Sequence, residues 1–243
     1  MVRDHNQEYQ DSDARKYAYD FDGVVRRYLL KAVARHFSLG GTALELGCYR
    51  GDMTEQILAW FPRVTVVEAS SDLAQVVRGR FAARVDVITS TFEEAKLPTS
   101  YDNVFLVHTL EHLDEPIAVL ERIRGWLSPA GRLFVAVPNA NALSRQIAVK
   151  MGLVEFGAAV TPAEAAHGHR RTYSMDVLLS HLRRAGLRIV DYGGVVLKPL
   201  ANFQFDRALS EGIVSEAYLD ACDELARTYP DLSASLFAVA AAS

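Results

Sequence analysis

Two short apolar segments flank a loop that carries glycine at positions 47 and 51. The first segment, residues 42–46, leads directly into Gly47, and the second, residues 64–67, ends at the carboxylate of Glu68. Glycine allows the positive φ of a tight turn and a close approach of the backbone to a ligand. A strand, a glycine loop, a helix and a second strand that ends in a carboxylate together predict a nucleotide-binding βαβ unit.

The spacing of the glycines indicates which kind of nucleotide the loop would bind. The dinucleotide pattern G-x-G-x-x-G would need glycine at positions 49 and 52, where the chain has Tyr49 and Asp52, so an NAD enzyme is disfavoured. The helix predicted after Gly51 aims its free N–H groups at the loop. Glu68 follows the loop by about 20 residues. At this spacing in nucleotide-binding βαβ units, a carboxylate accepts hydrogen bonds from the ribose hydroxyls of the nucleotide.

Strand-like and helical patterns alternate along the chain. Further strands are predicted at 85–88, 102–107 and 133–137, with a turn at Pro129–Gly131 between the last two. Strand-like sequence follows at 187–192 and 195–197, and the final strand is predicted at 233–242. Helices are predicted at 25–37, 54–61, 71–81, 117–127 and 174–185, with mostly helical sequence from 202 to 228, and the chain before about residue 16 is predicted to be irregular. This alternation predicts a mostly parallel sheet with helices on both faces.

Composition excludes several classes of protein. Half of the 243 residues are hydrophobic, so the chain can bury a full core. The formal net charge of −4 gives no reason to expect nucleic acid as a partner. The two cysteines, Cys48 and Cys222, form no disulfide framework and fit a reducing cytoplasm, and neither a secretory signal nor a membrane span is predicted.

Two more segments accompany the glycine loop. Residues 102–113, DNVFLVHTLEHL, continue a buried strand into a polar loop, and residues 127–133, LSPAGRL, precede the next strand. Together with the acid-x-Gly-x-x-x-Gly loop, these two segments resemble motifs of the class I S-adenosylmethionine (SAM) methyltransferases. The resemblance covers residues 40–140 and is to the subgroup that includes ubiquinone-type, natural-product and sugar methyltransferases. The resemblance implies an α/β, Rossmann-like, seven-stranded and mostly parallel sheet with the last strand antiparallel.

SAM as cofactor and S-adenosylhomocysteine as product also follow from this resemblance. Glu45 would reach the ammonium of SAM, Glu68 its ribose, and the loop after the third strand its adenine. Tyr49 stands where the family usually has a further glycine, so its side chain must point away from SAM or lie over it. The implied SAM-binding residues are Glu45, Gly47, Cys48, Tyr49, Gly51, Glu68, Ala69, Thr91, Phe92, His108 and Thr109.

Histidines are the candidate catalytic residues, because an imidazole can take a proton near neutral pH. His169 is the first choice as the base, followed by His167 and His108, whereas His112 is predicted to brace its loop. No carboxylate stands at a suitable local spacing beside the His-x-His pair, so no metal is predicted.

A polar cluster beyond the fifth strand falls where this fold usually carries its substrate determinants. Arg170 and Arg171 could pair with a carboxylate or phosphate of the acceptor, with Tyr173 beside them. Tyr17 and Tyr19, before the first core helix, resemble a lid over the cofactor. Phe203 and Phe205 would close the pocket or form a dimer contact.

The expected organisation is a single catalytic domain. Its parts are an N-terminal lid and first helix (1–39), the SAM-binding core (40–139), a substrate cap (140–173), and the rest of the core with a helical insertion near 200–230 (174–243). The expected acceptor is a small molecule methylated on oxygen or nitrogen, such as a sugar or a natural-product intermediate, with a homodimer as a possible assembly. The alternatives are a non-catalytic SAM-binding module acting through a partner, an aminopropyl transferase and a cyclopropane synthase.

Overall fold

A seven-stranded sheet forms the centre of the computed structural model, which describes residues 4–13, 19–97 and 100–242. The strand order is β3-β2-β1-β4-β5-β7-β6, and β7 runs antiparallel to both of its neighbours while the other pairs are parallel. This confirms the predicted fold class. The strands are β1 (Ala43–Leu46), β2 (Val64–Glu68), β3 (Val85–Thr89), β4 (Tyr101–Val107), β5 (Leu127–Pro138), β6 (Leu187–Leu197) and β7 (Ser233–Ala242).

Helices cover both faces of this sheet. They are α1 (His5–Asp13), α2 (Asp20–Val33), α3 (Asp52–Ile57), α4 (Ser71–Phe81), α5 (Pro116–Trp126), α6 (Leu143–Lys150), α7 (Pro162–Ala166), α8 (Met175–Arg184), α9 (Asn202–Ser210) and α10 (Glu216–Thr228). Because successive strand residues point to opposite faces, Phe105 packs with α2, α9 and α10, whereas Val104 and Leu106 pack with α5 and α8. None of the described helices is both long and apolar enough to cross a membrane.

The carboxyl ends of β1, β2, β4 and β5 meet at one edge of the sheet, the edge at which open α/β sheets bind ligands. The N-terminal segment lies at this edge too, and it corrects the expectation of an irregular start because residues 5–13 form α1. Asn6 anchors α1, since its side chain accepts a hydrogen bond from Ser70 Oγ at 2.7 Å and donates one to Ser71 Oγ at 2.9 Å. Ser70 also caps α4, because its side chain accepts a hydrogen bond from the Leu73 N–H.

The segment at 129–131 departs from its prediction. It is not a turn before the strand but a bulge within β5, because Tyr101 pairs with Leu127 whereas Asn103 pairs with Arg132. Residues 128–131 therefore lie opposite Asp102 alone, and Ser128 Oγ donates to that carboxylate at 2.7 Å. A Cβ on Gly131 would come within 2.6 Å of the Tyr101 carbonyl oxygen, so the bulge requires glycine there.

The late helical region, residues 202–228, divides into α9 and α10, and α9 packs against α2. Phe205 of α9 is fully buried and its ring stacks on Phe21 with centroids 4.3 Å apart, whereas Phe203 is exposed. This stacking holds the start of α2 and the residues before α9 beside the carboxyl edge of the sheet. Side chains from both segments therefore reach the site.

Candidate active site

Two adjoining cavities open at the carboxyl edge of the sheet. The first has a volume of about 170 Å³ and is lined by the loop after β1, by Glu68 and by the loop after β4. The second has a volume of about 300 Å³ and is lined by polar groups from α2, the segment 138–169 and the loop after β6. Arg26, His108 and His167 line both cavities, so these three residues mark where the cavities meet.

The loop after β1 turns on two glycines with positive φ. Gly47 has φ 77° and Gly51 has φ 88°. A Cβ on Gly47 would lie 2.9 Å from the Thr109 side chain, and one on Gly51 would lie 2.5 Å from the Phe81 ring. Both positions therefore require glycine for space as well as for conformation.

Tyr49 adopts the left-handed backbone conformation without being glycine. Its φ is 49°, and its side chain lines the first cavity. The glycine usual in the family at this position would adopt the same conformation at lower cost, since αL is disfavoured for residues with a Cβ. The fold of the loop is thus kept, and the tyrosine adds a wall to the cavity.

Glu68 ties the end of β2 to the glycine loop. Its carboxylate, which lines the first cavity, accepts hydrogen bonds from the backbone N–H of Cys48 at 3.1 Å and of Ser70 at 3.0 Å. These bonds fix both oxygens at the end of the strand, where a ribose diol would meet them. Five of the residues predicted to bind SAM line the same cavity: Gly47, Cys48, Tyr49, His108 and Thr109.

Glu45 is not among the described residues that line the first cavity, and its predicted contact with the SAM ammonium, directly or through water, stays a prediction. It is almost fully buried, and it accepts a hydrogen bond from Thr54 Oγ1 at 2.5 Å. Burial raises the pKa of this carboxyl to about 8. Its place in the structure is under the glycine loop and the start of α3.

Four other predicted SAM contacts lie outside the lining that the described residues give the first cavity: Gly51, Ala69, Thr91 and Phe92. Gly51 acts through the turn, where it leaves room for Phe81. Phe92 is buried behind Gly47, and its carbonyl oxygen accepts a hydrogen bond from Arg122 Nε at 2.9 Å. The predicted roles of Ala69 and Thr91 at the adenine stay predictions.

His108 stands at the junction of the cavities in a strained conformation. Its φ is 50°, and strain of this kind at a non-glycine residue is typical of functional sites. Its Nε2 lies 2.9 Å from Ser235 Oγ. Burial lowers the pKa of His108 to about 3, so the imidazole is neutral at physiological pH and is a weak base.

The segment 161–169 brings two further histidines to the cavities. Thr161 caps α7 in a capping box with Glu164, and Arg145 Nη1 pairs with Glu164 at 2.6 Å. This network fixes the exit of α7, so His167 faces both cavities and His169 faces the second. Burial lowers the pKa of His169.

Arg171 and Tyr173, both predicted to bind the acceptor, are not among the described residues that line the second cavity. The guanidinium of Arg171 donates to the carbonyl oxygens of Leu113 and Asp114 at 2.9 and 2.8 Å, so it braces the loop after β4. Tyr173 is 0% exposed and belongs to the core beside α8. The spacing in sequence was compatible with a polar cluster, but the isolated bridge between Asn139 and Tyr173 turns this side chain inward.

Arg170 also points away from the second cavity, because its Nε lies 3.3 Å from Asp114 and an Nη lies 3.9 Å from Glu8. Tyr19 lines the second cavity and not the first, and its predicted role as a lid over the cofactor stays a prediction. Tyr17 lies outside the described residues.

Sequence reasoning missed the cationic groups of the site. Lys198, after β6, lines the second cavity and donates a hydrogen bond to Asn202 Oδ1, and Asn202 in turn donates to Asp22 Oδ1 at 2.7 Å. Burial lowers the pKa of Lys198 to about 8. Arg26 of α2 lines both cavities. No local motif marks these positions, because the packing of α2 and α9 over the sheet edge brings them together.

Comparisons with known proteins give the family of the chain. The sequence profile described as a methyltransferase domain matches residues 13–192. The ubiquinone biosynthesis O-methyltransferase of Xanthomonas euvesicatoria is 28% identical over 179 residues, which cover 71% of this chain and 74% of that protein.

Solved structures show the same fold. A SAM-dependent methyltransferase of Thermotoga maritima, described as a possible histamine N-methyltransferase, is 16% identical with a TM-score of 0.64 and covers 98% of this chain and 100% of that one. The N-methyltransferase NodS of Bradyrhizobium japonicum, in complex with S-adenosylhomocysteine, is 13% identical with a TM-score of 0.60 and covers 96% and 97% of the two chains.

The first cavity fits SAM, because it combines a glycine loop that admits close backbone approach, a fixed carboxylate for the ribose and an arginine for the carboxylate of the methionine moiety. The profile match covers well over half of the chain. The chain therefore belongs to the methyltransferase-domain family and is a SAM-dependent methyltransferase.

Proposed function

We propose that this methyltransferase acts on a hydroxyl oxygen of a small-molecule acceptor that carries an anionic group. The observation that carries the proposal is the meeting of two cavities at Arg26, His108 and His167. Methyl transfer needs a nucleophile held in line with the methyl group and shielded from water. Two cavities with a common wall provide separate places for the methyl donor and the acceptor.

The first cavity supplies the groups that hold the cofactor. When bound there, SAM supplies a methyl group on a positively charged sulfur, which is an already activated leaving group. Glu68 would accept hydrogen bonds from the ribose hydroxyls, and the loop from Gly47 to Tyr49 would enclose the methionine moiety. Arg26, which lines this cavity, would pair with the carboxylate of that moiety.

Two observations favour oxygen as the methylated atom. The relative from Xanthomonas euvesicatoria is named as an O-methyltransferase, and the second cavity holds histidines that can accept a hydroxyl proton. The acceptor oxygen forms a bond to the methyl carbon, and the carbon–sulfur bond breaks with its electron pair going to sulfur. The hydroxyl proton goes to His167, because that side chain faces both cavities.

The charge of the second cavity supports an anionic acceptor. The guanidinium of Arg145 is engaged with Glu164, whereas the Lys198 ammonium is buried at the cavity wall with the neutral Asn202 as its hydrogen-bond partner and the Asp22 carboxylate as the nearby opposite charge. Burial holds the pKa of Lys198 at about 8. A carboxylate or phosphate beside it would raise this pKa and would gain a charge-assisted hydrogen bond from the ammonium. Of the two phenylalanines predicted to close the pocket or form a dimer contact, Phe205 is buried and Phe203 is exposed, so Phe203 remains the candidate for a contact between subunits. The homodimer itself stays a prediction.

Incubation with methyl-labelled SAM and a panel of small hydroxy compounds and amines tests this function. Each compound is compared with and without a carboxylate or phosphate. We expect label on the oxygen of an anionic hydroxy compound, and we expect Lys198→Met to raise the KM for that compound at least fivefold while SAM affinity stays unchanged. Transfer to amines alone would contradict the proposal. SAM binding with no transfer to any compound would favour the alternative of a non-catalytic module.

A further inference from the structure

Glu111 is a buried carboxylate with two imidazoles beside it. It follows β4, it is 1% exposed, and neither of its carboxylate oxygens has a hydrogen-bond partner. One ligand atom each from Glu111, His112 and His169 lies within 4.8 Å of the other two. A buried ionised carboxylate without a partner is costly, so the structure calls for a cation or a proton at this point.

We infer that Glu111, His112 and His169 bind a divalent transition-metal ion at the junction of the two cavities. Two imidazoles and one carboxylate form the donor set of many three-ligand zinc and iron sites. Ligands at zinc bond lengths in tetrahedral geometry lie about 3.4 Å apart, so small side-chain rotations close the observed separation. Magnesium and calcium prefer oxygen ligands, so this set selects zinc, iron or manganese.

The chain positions all three ligands through its backbone. Glu111 and His112 lie in the short 3-10 turn after β4, and the Glu111 carbonyl oxygen accepts a hydrogen bond from the Arg170 N–H at 2.9 Å. This bond joins the loop after β4 to the segment between α7 and α8 that carries His169. The rings of His112 and His169 meet edge to face with centroids 4.6 Å apart.

This arrangement explains why sequence spacing predicts no metal. The pair His167 and His169 has no carboxylate nearby in the sequence, and the structure supplies one from a loop more than fifty residues earlier. The second imidazole of the set also comes from outside the His-x-His pair, because His112 and not His167 lies beside Glu111 and His169.

The ion would lie between the methyl donor and the acceptor. His112 lines the first cavity, whereas Glu111 and His169 line the second. Three protein ligands leave at least one coordination position for an oxygen of the acceptor. This role rests on the proposed function, whereas metal binding itself does not, since it needs no acceptor.

Metal binding can be measured without any turnover. The full-length protein is freed of metal with a chelator and titrated with Zn²⁺ by calorimetry, and Co²⁺ is added in parallel to record its visible absorption. We expect one site, and we expect Glu111→Gln to weaken Zn²⁺ binding by about 100-fold or more and to abolish the Co²⁺ band. His181→Gln is the matched control, because His181 lies on α8 beside Tyr173, and it should leave both readouts unchanged.

Three results would overturn the inference: no Zn²⁺ binding, equal Zn²⁺ affinity in Glu111→Gln, or an equal loss in His181→Gln. Should Glu111→Gln fail to fold, His169→Gln gives the same test, and thermal stabilisation of the wild-type protein by Zn²⁺ gives a second readout. SAM binding, measured on the same samples, separates the outcomes. SAM binding without metal binding refutes the metal site and leaves the proposed function intact.

Discussion

Glu68 and Cys48 join the end of β2 to the glycine loop through a hydrogen bond of 3.1 Å between the Cys48 N–H and the Glu68 carboxylate. A second hydrogen bond, from the Ser70 N–H, holds the other oxygen of the same carboxylate. The residue that would bind the ribose is thus also the residue that orders the loop beside it. A glutamine at this position would carry no charge and would offer one acceptor oxygen instead of two, so it could keep only one of these two hydrogen bonds.

Glu68→Gln should lower SAM affinity at least fivefold, corresponding to about 1 kcal/mol, because charge-assisted hydrogen bonds to the ribose are lost. Glu68→Ala should lower it further, since the loop then loses its anchor as well. Calorimetric titration with S-adenosylhomocysteine measures both effects. Asp86→Asn is the control, because Asp86 is an exposed carboxylate on β3 that pairs with Arg63. Equal affinity in wild type and Glu68→Ala would remove Glu68 from the binding site.

Two glycines with similar φ separate backbone strain from steric overlap. Gly40 has φ 84° and open space around an added Cβ, whereas at Gly51, with φ 88°, an added Cβ would lie 2.5 Å from the Phe81 ring. Gly40→Ala should therefore cost about 1–2 kcal/mol in the free energy of unfolding, the penalty of the left-handed conformation. Gly51→Ala should cost about 1–3 kcal/mol more, because the packing around Phe81 must also shift.

Urea denaturation of the two alanine variants measures this difference. Gly51→Ala should also weaken SAM binding, because the turn into α3 moves, whereas Gly40→Ala should not. Equal destabilisation of the two variants would show that Phe81 moves aside without cost.

The sheet could be predicted from sequence because its strands are short apolar segments with clear ends, such as Val85 to Ile88. Gly47 and Glu68 could be found for the same reason, since both lie one step beyond a strand. The wall of the second cavity could not be found in this way. Lys198 reaches it only because Phe205 stacks on Phe21, a contact between residues 184 positions apart for which no local pattern exists.

Errors at the site follow from the same limit. Tyr173 and His169 are close in sequence and both polar, yet one is buried in the core and the other faces a cavity. Sequence gives the spacing of such residues but not which side of the chain meets the sheet. Glu45 is a different case. Its position at the end of β1 could be found from the sequence, but the burial of its carboxyl beneath the glycine loop could not.

The buried carboxyl of Glu45 makes stability depend on pH. Burial raises its pKa from the ordinary 4.5 to about 8, so between these values the folded state holds a proton that the unfolded state releases. Its contribution to the free energy of unfolding therefore falls as pH rises through this window. Glu45→Gln should flatten the decline.

Urea denaturation at about pH 5, 6.5 and 8 tests this expectation, with Asp86→Asn again as the exposed control. The slope of stability against pH should be smaller for Glu45→Gln than for the wild type and unchanged for Asp86→Asn. A wild-type slope in Glu45→Gln would mean that Glu45 is ionised in the folded protein.

His167 and His169 are two residues apart, and their proposed roles differ. His167 faces both cavities and takes the acceptor proton, whereas His169 belongs to the three-ligand metal site with Glu111 and His112. His167→Gln should therefore lower kcat at least tenfold while Zn²⁺ affinity stays at the wild-type value, because general-base catalysis typically contributes 10²–10⁴-fold. His169→Gln should lower kcat and weaken Zn²⁺ binding together. SAM affinity should change in neither variant. The comparison needs the acceptor identified in the labelled panel, Zn²⁺ calorimetry and His181→Gln as the control. If His169→Gln lowers kcat with unchanged Zn²⁺ affinity, then His169 is the base and the metal site is refuted.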